Sequence, residues 1–205
     1  MRVAVVGGTG SFGTAVAKRL VAAGVDVVIG SRDAARAREA AEPLGAEGAD
    51  NDDAVRGADL VLFAVKADAA VDTARELRPS IGSTPVLSVC SELSFGPSGV
   101  KPTTEASSIA QRVQDELDAP VVAGLHSLAA SNLAEAPPEE DALVCGDDAV
   151  AKGLALDLAA RLVSGRAVDC GPLASARALE GMTALIVNVN KRYKAHAGLR
   201  VTGLP

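Results

Sequence analysis

The stretch VAVVGGTGSFG, residues 3–13, places an apolar run directly before a glycine-rich turn. The turn matches the pattern G-x-G-x-x-G at Gly8, Gly10 and Gly13, and an amphipathic segment follows it. Gly8 is expected to permit the tight turn, Gly10 to let the backbone approach a pyrophosphate, and Gly13 to allow close helix packing. A helix N-terminus supplies N–H groups and a positive dipole to phosphates, so the stretch predicts a dinucleotide site. The alternative is a purely structural glycine turn.

Apolar runs alternate with alanine-rich amphipathic segments along the whole chain. The runs predict strands over residues 2–7, 25–30, 59–65, 84–90, 119–125, 141–146 and 166–171. The segments between them predict helices over residues 11–23, 33–42, 51–57, 68–78, 105–117, 149–163 and 173–193. Because the runs are apolar throughout, we expect strands that are buried on both faces. The sequence therefore predicts an α/β fold of the Rossmann type, with a doubly wound, mostly parallel sheet.

A break in this alternation lies at residues 134–141, AEAPPEED, where two prolines stand beside a cluster of acids. We predict that residues 1–135 form the nucleotide-binding Rossmann domain. Residues 136–205 are then a small C-terminal α/β extension that completes the cleft for the second substrate.

Residues 30–32, Gly-Ser-Arg, decide between the two nicotinamide dinucleotides. Units that bind NAD usually place Asp or Glu at this position, where the carboxylate accepts hydrogen bonds from the ribose. Here Ser31 can donate to a 2′-phosphate, and Arg32 and Arg36 can bind it through charge-assisted hydrogen bonds. We therefore predict NADP(H). Asp33 could serve the ribose of NAD instead, but we expect it to act as an acid at a helix start.

Composition excludes several classes of protein. The net charge of −6 over 205 residues argues against general nucleic-acid binding, and no apolar run is long enough to span a membrane. No secretory signal pattern precedes the first strand, so we expect a cytoplasmic protein. The three cysteines lie far apart in apolar segments, which fits neither a disulfide framework nor a zinc site: Cys90, Cys145 and Cys170. We expect buried core residues, with a thiol at Cys90 that lines the site as the alternative.

Acid–base groups are few. No Tyr-x-x-x-Lys pair stands where short-chain dehydrogenases have one, and no set of Cys, His and Glu suggests a metal site. His126 follows the fifth apolar run, at the strand end where open α/β sheets bind ligands. It is the candidate catalytic residue, and a histidine bonded to nearby backbone is the alternative. A protein with so few acid–base groups suits a substrate that brings its own hydride chemistry, because the protein then mainly aligns two rings.

The chain resembles the NADPH-dependent reductases of the 5-deazaflavin coenzyme F420 over nearly its whole length. The glycine turn and IGSRDAARA are shared with many dinucleotide-binding proteins. More specific are LVCGDD (143–148), CGPL-x-x-x-R-x-L-E (170–180) and the tail NVNKRYKAHAG (188–198). The resemblance implies reversible hydride transfer between NADP(H) and the deazaflavin as co-substrate, no covalent step, and a homodimer.

The family's contacts carry over to this chain position by position. Those with NADP fall on the glycine turn, the 2′-phosphate end and three strand ends: Gly8, Thr9, Gly10, Ser11, Phe12, Gly13, Ser31, Arg32, Arg36, Val65, Lys66, Ala67, Ser91 and Ala130. The deazaflavin would lie between the His126 segment and the tail near Ala197. His126 could stabilise the negative charge that builds on this ring. The basic end of the chain is a candidate for its phosphate and glutamates, or simply a solvated helix end: Lys191, Arg192 and Lys194.

Two loops depart from the family pattern. Where members read Pro-Trp after the third strong strand, this chain has Lys66-Ala67, and it contains no Trp. Where they often read Asn-Pro-Leu after the fourth, it has Ser91-Glu92-Leu93. Glu92 would bring negative charge to the nicotinamide pocket, and Lys66 could offset it or bind an anionic substrate.

These departures leave other functions open. The protein could reduce a different acceptor, such as an imine, a ferric chelate or a flavin. It could instead be a noncatalytic NADP(H)-sensing protein, or a homologue that has lost cofactor binding, although the intact turn and Ser31-Arg32 argue against the last.

Overall fold

The apolar runs of the sequence become the strands of one eight-stranded sheet in the computed structural model, which describes residues 1–204. The strands are β1 Arg2–Val6, β2 Asp26–Ser31, β3 Glu47–Asp50, β4 Leu60–Phe63, β5 Val86–Ser88, β6 Leu93–Gly96, β7 Gly99–Pro102, β8 Val121–Gly124, β9 Ala142–Gly146 and β10 Ala167–Asp169. The helices are α1 Ser11–Ala22, α2 Ala34–Ala41, α3 Asn51–Val55, α4 Ala67–Ile81, α5 Ile109–Glu116, α6 Ala130–Leu133, α7 Ala149–Leu162 and α8 Ala176–Tyr193. Strands β6 and β7 form a separate antiparallel hairpin.

The strand order is β10-β9-β8-β5-β4-β1-β2-β3, and every pair is parallel except β8 with β9. The order reverses beside β1, which is the topology of a doubly wound sheet, so the predicted fold class is confirmed. Since β9 and β10 run against the other strands, their carboxyl ends lie at the opposite edge from the glycine turn. Both strands nevertheless continue the same sheet as the N-terminal units.

The sheet separates two apolar cores. Alternate residues of β1 point to opposite faces: Val3 and Val5 pack with α1, α2 and α7, whereas Ala4 and Val6 pack with α4, α5 and α8. This explains why the strands are apolar throughout, because each side chain of a central strand is buried by helices on its own face. No helix within residues 1–204 has the length and apolar character needed to cross a membrane.

Three elements lie where no strand or helix was predicted. Strand β3 reads EGAD and pairs with β2 at the sheet edge, where polar side chains are tolerated. The β6–β7 hairpin and the four-residue helix α6 occupy segments that had been read as loops. Two predicted helices also begin later than expected, since Ser108 forms a capping box before α5 and residues 173–175 form a 3-10 turn before α8.

Glu180 joins α8 to the start of α5. The Ile109 N–H donates to its Oε1 at 2.6 Å, and its side chain is buried. Arg177, one turn earlier, holds a guanidinium nitrogen 3.8 Å from Oε2. Burial raises the pKa of Glu180 to about 7 in spite of these partners. The carboxyl therefore takes up a proton more readily in the folded chain than in the unfolded one.

This raised pKa predicts a pH-dependent stability. The folded state binds more protons than the unfolded state between the usual glutamate pKa and about 7, so the free energy of unfolding falls as pH rises through that window. We expect a fall on the order of 2–3 kcal/mol from this group in chemical denaturation. In Glu180→Gln this part of the slope is absent. If the free energy of unfolding changes with pH in the same way in both proteins, Glu180 does not titrate in this range.

Candidate functional site

The turn between β1 and α1 requires glycine at two neighbouring positions. Gly7 has a φ of +80°, a conformation that favours glycine, so the tight turn depends on Gly7. From the sequence, this role was expected of Gly8. The Gly8 N–H donates to Val5 O at 3.1 Å and Gly30 O at 3.2 Å. A Cβ on Gly8 would lie 2.8 Å from Val5 O, so glycine is required there by packing against β1 and β2.

The N-terminus of α1 is open to a ligand. Gly10 is its N-cap and offers no side-chain cap, and the first turn contains no acid. A Cβ on Gly13 would lie 2.6 Å from Gly7 O, which confirms close packing between helix and turn as the reason for glycine at this position. Thr14 donates to Gly8 O at 2.8 Å and braces the turn from the helix side. The uncapped N–H groups suit a phosphate.

A first cavity of about 260 Å³ opens beside this turn. Its lining includes the ends of β2 and β4 and the start of α4: Gly7, Thr9, Gly10, Ser31, Arg32, Asp33, Arg36, Asn51, Ala64, Val65, Lys66, Ala69 and Thr73. The structure thus brings seven of the predicted NADP contacts together in this cavity. Asn51 was not predicted; its Oδ1 is buried and, within residues 1–204, has no hydrogen-bond partner.

The two arginines that line the first cavity are free to bind a ligand, whereas the Asp33 carboxylate is occupied. Asp33 is the N-cap of α2 and accepts from the N–H groups of Ala35 at 2.9 Å and Arg36 at 3.3 Å, which confirms its role at the helix start. Arg32 and Arg36 make no ion pair with any residue from 1 to 204. The Ser31 hydroxyl oxygen accepts from Asp33 N–H at 3.3 Å, so its proton remains available for a phosphate.

A second cavity of about 580 Å³ adjoins the first, and the two share Ala64, Val65 and Lys66. Its walls are mainly apolar, with polar groups from three strand ends: Phe12, Ala64, Val65, Lys66, Ala67, Asp68, Val89, Cys90, Ser91, Glu92, Leu93, Phe95, Leu125, His126, Leu128 and Thr183. The predicted residues Phe12, Ala67, Ser91 and His126 meet here. The two cavities form one cleft along the carboxyl ends of β1, β2, β4, β5 and β8, which we call the sheet-edge cleft.

His126 is buried in the wall of the second cavity, and its Nε2 lies 3.1 Å from Cys90 O. A carbonyl oxygen can only accept, so we assign the ring proton to Nε2. Burial lowers the pKa of His126 to about 4, and the ring is therefore neutral near pH 7. Its Nδ1 is also buried and has no partner within the described residues. The single ring proton is thus used on Cys90 O, and His126 has none to donate to negative charge on a ligand.

Cys90 and Ser91 have different roles in the same loop. The Cys90 thiol donates to Val65 O at 3.2 Å, and burial raises its pKa to about 12, so it is an unreactive structural group. Thr183 of α8 donates to His126 O at 3.1 Å, and the Ser91 and Thr183 hydroxyl oxygens are 2.9 Å apart. Because the Thr183 proton is used on His126, Ser91 donates to Thr183. This link brings α8 into the cavity wall through Thr183, a residue that the sequence did not single out.

The two loops that depart from the family pattern carry opposite charges, Glu92 in one and Lys66 in the other. Glu92 accepts from Arg112 at 2.7 Å and from Thr103 Oγ1 at 2.8 Å, so its charge is balanced by the protein itself. Lys66 makes no ion pair with any residue from 1 to 204 and lines both cavities. The expected offset of Glu92 by Lys66 is therefore replaced by Arg112, and the ammonium group is left for a ligand.

Two predicted contacts lie outside the cavity walls, close to each other. Ala130 begins α6, and Ala197 follows α8, where its N–H donates to Asn190 Oδ1 at 2.6 Å. Asn132 donates to His196 O at 3.2 Å and joins the two segments. Gly8, Ser11 and Gly13 also fall outside the linings, and the basic side chains at the end of the helix are exposed: Lys191, Arg192 and Lys194.

Comparison with known proteins agrees with this geometry. Residues 2–92 match the family described as "NADP oxidoreductase coenzyme F420-dependent". The chain is 34% identical to the F420-dependent NADP reductase of Methanothermobacter thermautotrophicus, over 100% of this chain and 96% of that protein. It is 33% identical to the protein of the same name from Methanocaldococcus jannaschii, over 100% and 99%. A crystal structure of a protein from Arthrobacter sp. FB24 has a TM-score of 0.83 at 23% identity, over 99% of this chain and 100% of that one. The chain therefore belongs to the family of F420-dependent NADP reductases.

Proposed function

We propose that this protein is an enzyme, an oxidoreductase that transfers a hydride between NADP(H) and the deazaflavin coenzyme F420. The single observation that carries the proposal is the sheet-edge cleft, which joins an anion-binding end with free Arg32 and Arg36 to a larger, mainly apolar cavity. A dinucleotide and a second flat ring need such a pair of adjoining spaces. The names of the similar proteins point to the same two substrates.

At the small end of the cleft, the residues fit a phosphorylated dinucleotide. The uncapped start of α1 presents backbone N–H groups to a pyrophosphate. Ser31 would donate to the 2′-phosphate, and Arg32 and Arg36 would hold it with charge-assisted hydrogen bonds. A carboxylate that could repel this phosphate, Asp33, is occupied by the N–H groups of α2.

At the large end, the residues position and shield. Hydride transfer would add negative charge to the deazaflavin, and the ring would take up the balancing proton from solvent once it leaves the cleft. NADPH supplies the hydride when bound. The apolar walls exclude water, which favours direct transfer between two stacked rings. His126, neutral and bonded through its Nε2–H to Cys90 O, would hold this wall of the cavity in place against one of the rings. Residues 136–205 complete this cleft through Thr183, which ties α8 to His126.

Truncation of His126 tests its positioning role. We expect His126→Ala to lower kcat about tenfold, since the wall that orients the reacting rings loses its bond to Cys90 O. The pKa of about 4 further predicts that ionisation of His126 leaves no step in the kcat profile between about pH 5.5 and 8. Val150→Ala is the control, because Val150 is 73% exposed on α7, away from both cavities. Unchanged turnover in His126→Ala would assign this histidine a structural role only.

We also propose that the protein is a homodimer that uses the outer face of α8. Ala178, Met182, Leu185 and Val189 follow one another at spacings of four, three and four, which places them on one stripe of the helix. Leu185 is 58% exposed, so this stripe offers apolar surface to a partner. Sedimentation velocity is expected to give the mass of two chains for the native protein and of one chain for Leu185→Asp. A single-chain mass for the native protein would contradict the proposal.

A further inference from the structure

Two of the three phenylalanines in this aromatic-poor chain line the same cavity. Phe63 is fully buried in the core, whereas Phe12 and Phe95 lie in the wall of the second cavity. Phe12 comes from the start of α1, and Phe95 comes from the β6–β7 hairpin. The Phe95 side chain is 72% exposed although it borders an apolar space. An aromatic ring in this position has contact surface to offer to a ligand.

The hairpin that carries Phe95 is fastened to the rest of the molecule both opposite Phe95 and at its base. Asn188 of α8 accepts from Val100 N–H at 2.8 Å and donates to Val100 O at 2.7 Å. Glu92 bonds Thr103 across the hairpin and Arg112 of α5. Arg177 donates to the carbonyl oxygens of Thr103 and Glu105. The hairpin is thus held against α5 and α8, and the position of Phe95 over the cavity is set by the fold.

Alternation along β6 fixes which side chains face the cavity. Leu93 and Phe95 are two residues apart and therefore lie on one face of the strand. Both line the second cavity, while Ser94 between them does not. Leu93 adds apolar surface beside the ring, and the facing wall is also apolar. A planar conjugated ring fits such a space better than a flexible or highly polar molecule does, because it can stack on an aromatic face.

We propose that Phe95 stacks on the ring of the hydride acceptor and so selects planar, conjugated acceptors. The inference rests on the proposed function and deepens it by naming a positioning residue for the second ring. The chain contains no Trp, and Tyr193 does not line either cavity. Phe95 and Phe12 therefore supply the aromatic surface of the second cavity, and Phe95 is the more exposed of the two.

Binding and kinetics of four variants test this role. The affinity for oxidised F420 is measured by titrating its fluorescence without NADPH, and kcat and both Michaelis constants are then measured. Phe95→Ala is expected to weaken deazaflavin binding and raise its Michaelis constant about tenfold, or about 1.4 kcal/mol, with the constant for NADPH unchanged. Phe95→Tyr is expected to behave like the native protein, and Phe95→Leu like Phe95→Ala. Val150→Ala is the control, since Val150 is 73% exposed on α7, away from both cavities.

Several outcomes would overturn the inference. Native affinity in Phe95→Ala, or full affinity in Phe95→Leu, would show that no ring stacking occurs at this position. An equal rise in both Michaelis constants would show a general structural effect. A change in sedimentation with no change in deazaflavin affinity would place Phe95 in a contact between two copies of the chain. If the native protein itself does not bind the deazaflavin, the proposed function fails, and the inference fails with it.

Discussion

Removing both guanidinium groups from the small end of the cleft, in Arg32→Ala with Arg36→Ala, is expected to raise the Michaelis constant for NADPH about a hundredfold. Each hydrogen bond to a charged group contributes about 1.5–3 kcal/mol, and a loss of about 2.7 kcal/mol corresponds to a factor of one hundred. Both side chains line the first cavity and, within residues 1–204, form no ion pair that would compete with a phosphate. The constant for NADH, which lacks the 2′-phosphate, is expected to stay almost unchanged.

Arg38→Ala provides the matched control for this experiment. Arg38 lies on the same helix as Arg36 and is exposed, but it does not line the cavity. We expect it to leave both constants near their native values, so that a general loss of positive charge is separated from loss of the phosphate contact. If the double variant shows the same NADPH constant as Arg38→Ala, the 2′-phosphate does not bind between Ser31 and α2.

Gly13→Ala is expected to disrupt the phosphate turn itself. The added Cβ would lie 2.6 Å from Gly7 O and 2.9 Å from Gly8 Cα, and both are backbone atoms that cannot rotate away. Either α1 or the turn has to move, at a cost of about 1–3 kcal/mol in the free energy of unfolding. The N–H groups at the start of α1 move with it. Because a displacement of about 1 Å can cost a hundredfold in function, we expect NADPH affinity to fall by about that factor.

Gly153→Ala separates this effect from the general consequences of replacing a helical glycine. Gly153 lies in α7, and a Cβ there would meet nothing within 4 Å. We expect that variant to gain about 0.5–1 kcal/mol of stability, since alanine loses less backbone entropy in a helix. Thermal unfolding and NADPH titration of both variants make the comparison. Native affinity in Gly13→Ala would mean that close packing between helix and turn is not needed for binding.

Local chemistry made the dinucleotide end of the cleft predictable. The glycine spacing, the apolar strand before it and Ser31-Arg32 after the second strand all act within one βαβ unit, so their arrangement follows from short-range geometry. Asp33 could be assigned to the helix start for the same reason. The detail that failed, the tight turn at Gly7 instead of Gly8, differs by a single residue in a run of two glycines.

Long-range pairing explains what could not be predicted. The apolar runs of β9 and β10 have the same composition whichever way they run, so sequence could not reveal that β9 pairs antiparallel to β8. The contact between Thr183 and His126 O joins residues 57 positions apart. The neutral state of His126 depends on burial and its tautomer on the bond to Cys90 O, and neither can be inferred from neighbours in the chain.

The acceptor end of the cleft differs from the family pattern in sequence, but the protein itself balances the charge of Glu92. Glu92 had been expected to bring negative charge near the nicotinamide. The structure instead pairs it with Arg112, at the base of the hairpin that presents Phe95. The altered loop is therefore compatible with an apolar ring site, and Lys66 remains as a cation between the two cavities.

Reduction of purified coenzyme F420 by this protein tests the central claim most directly. The protein is mixed with oxidised deazaflavin and NADPH, and loss of the deazaflavin absorbance band is followed; the experiment is repeated with NADH. We predict catalytic reduction with NADPH and very little with NADH, since only NADPH carries the phosphate that Arg32 and Arg36 would bind. No reduction with either nucleotide, under conditions in which NADPH binds, would contradict hydride transfer to the deazaflavin.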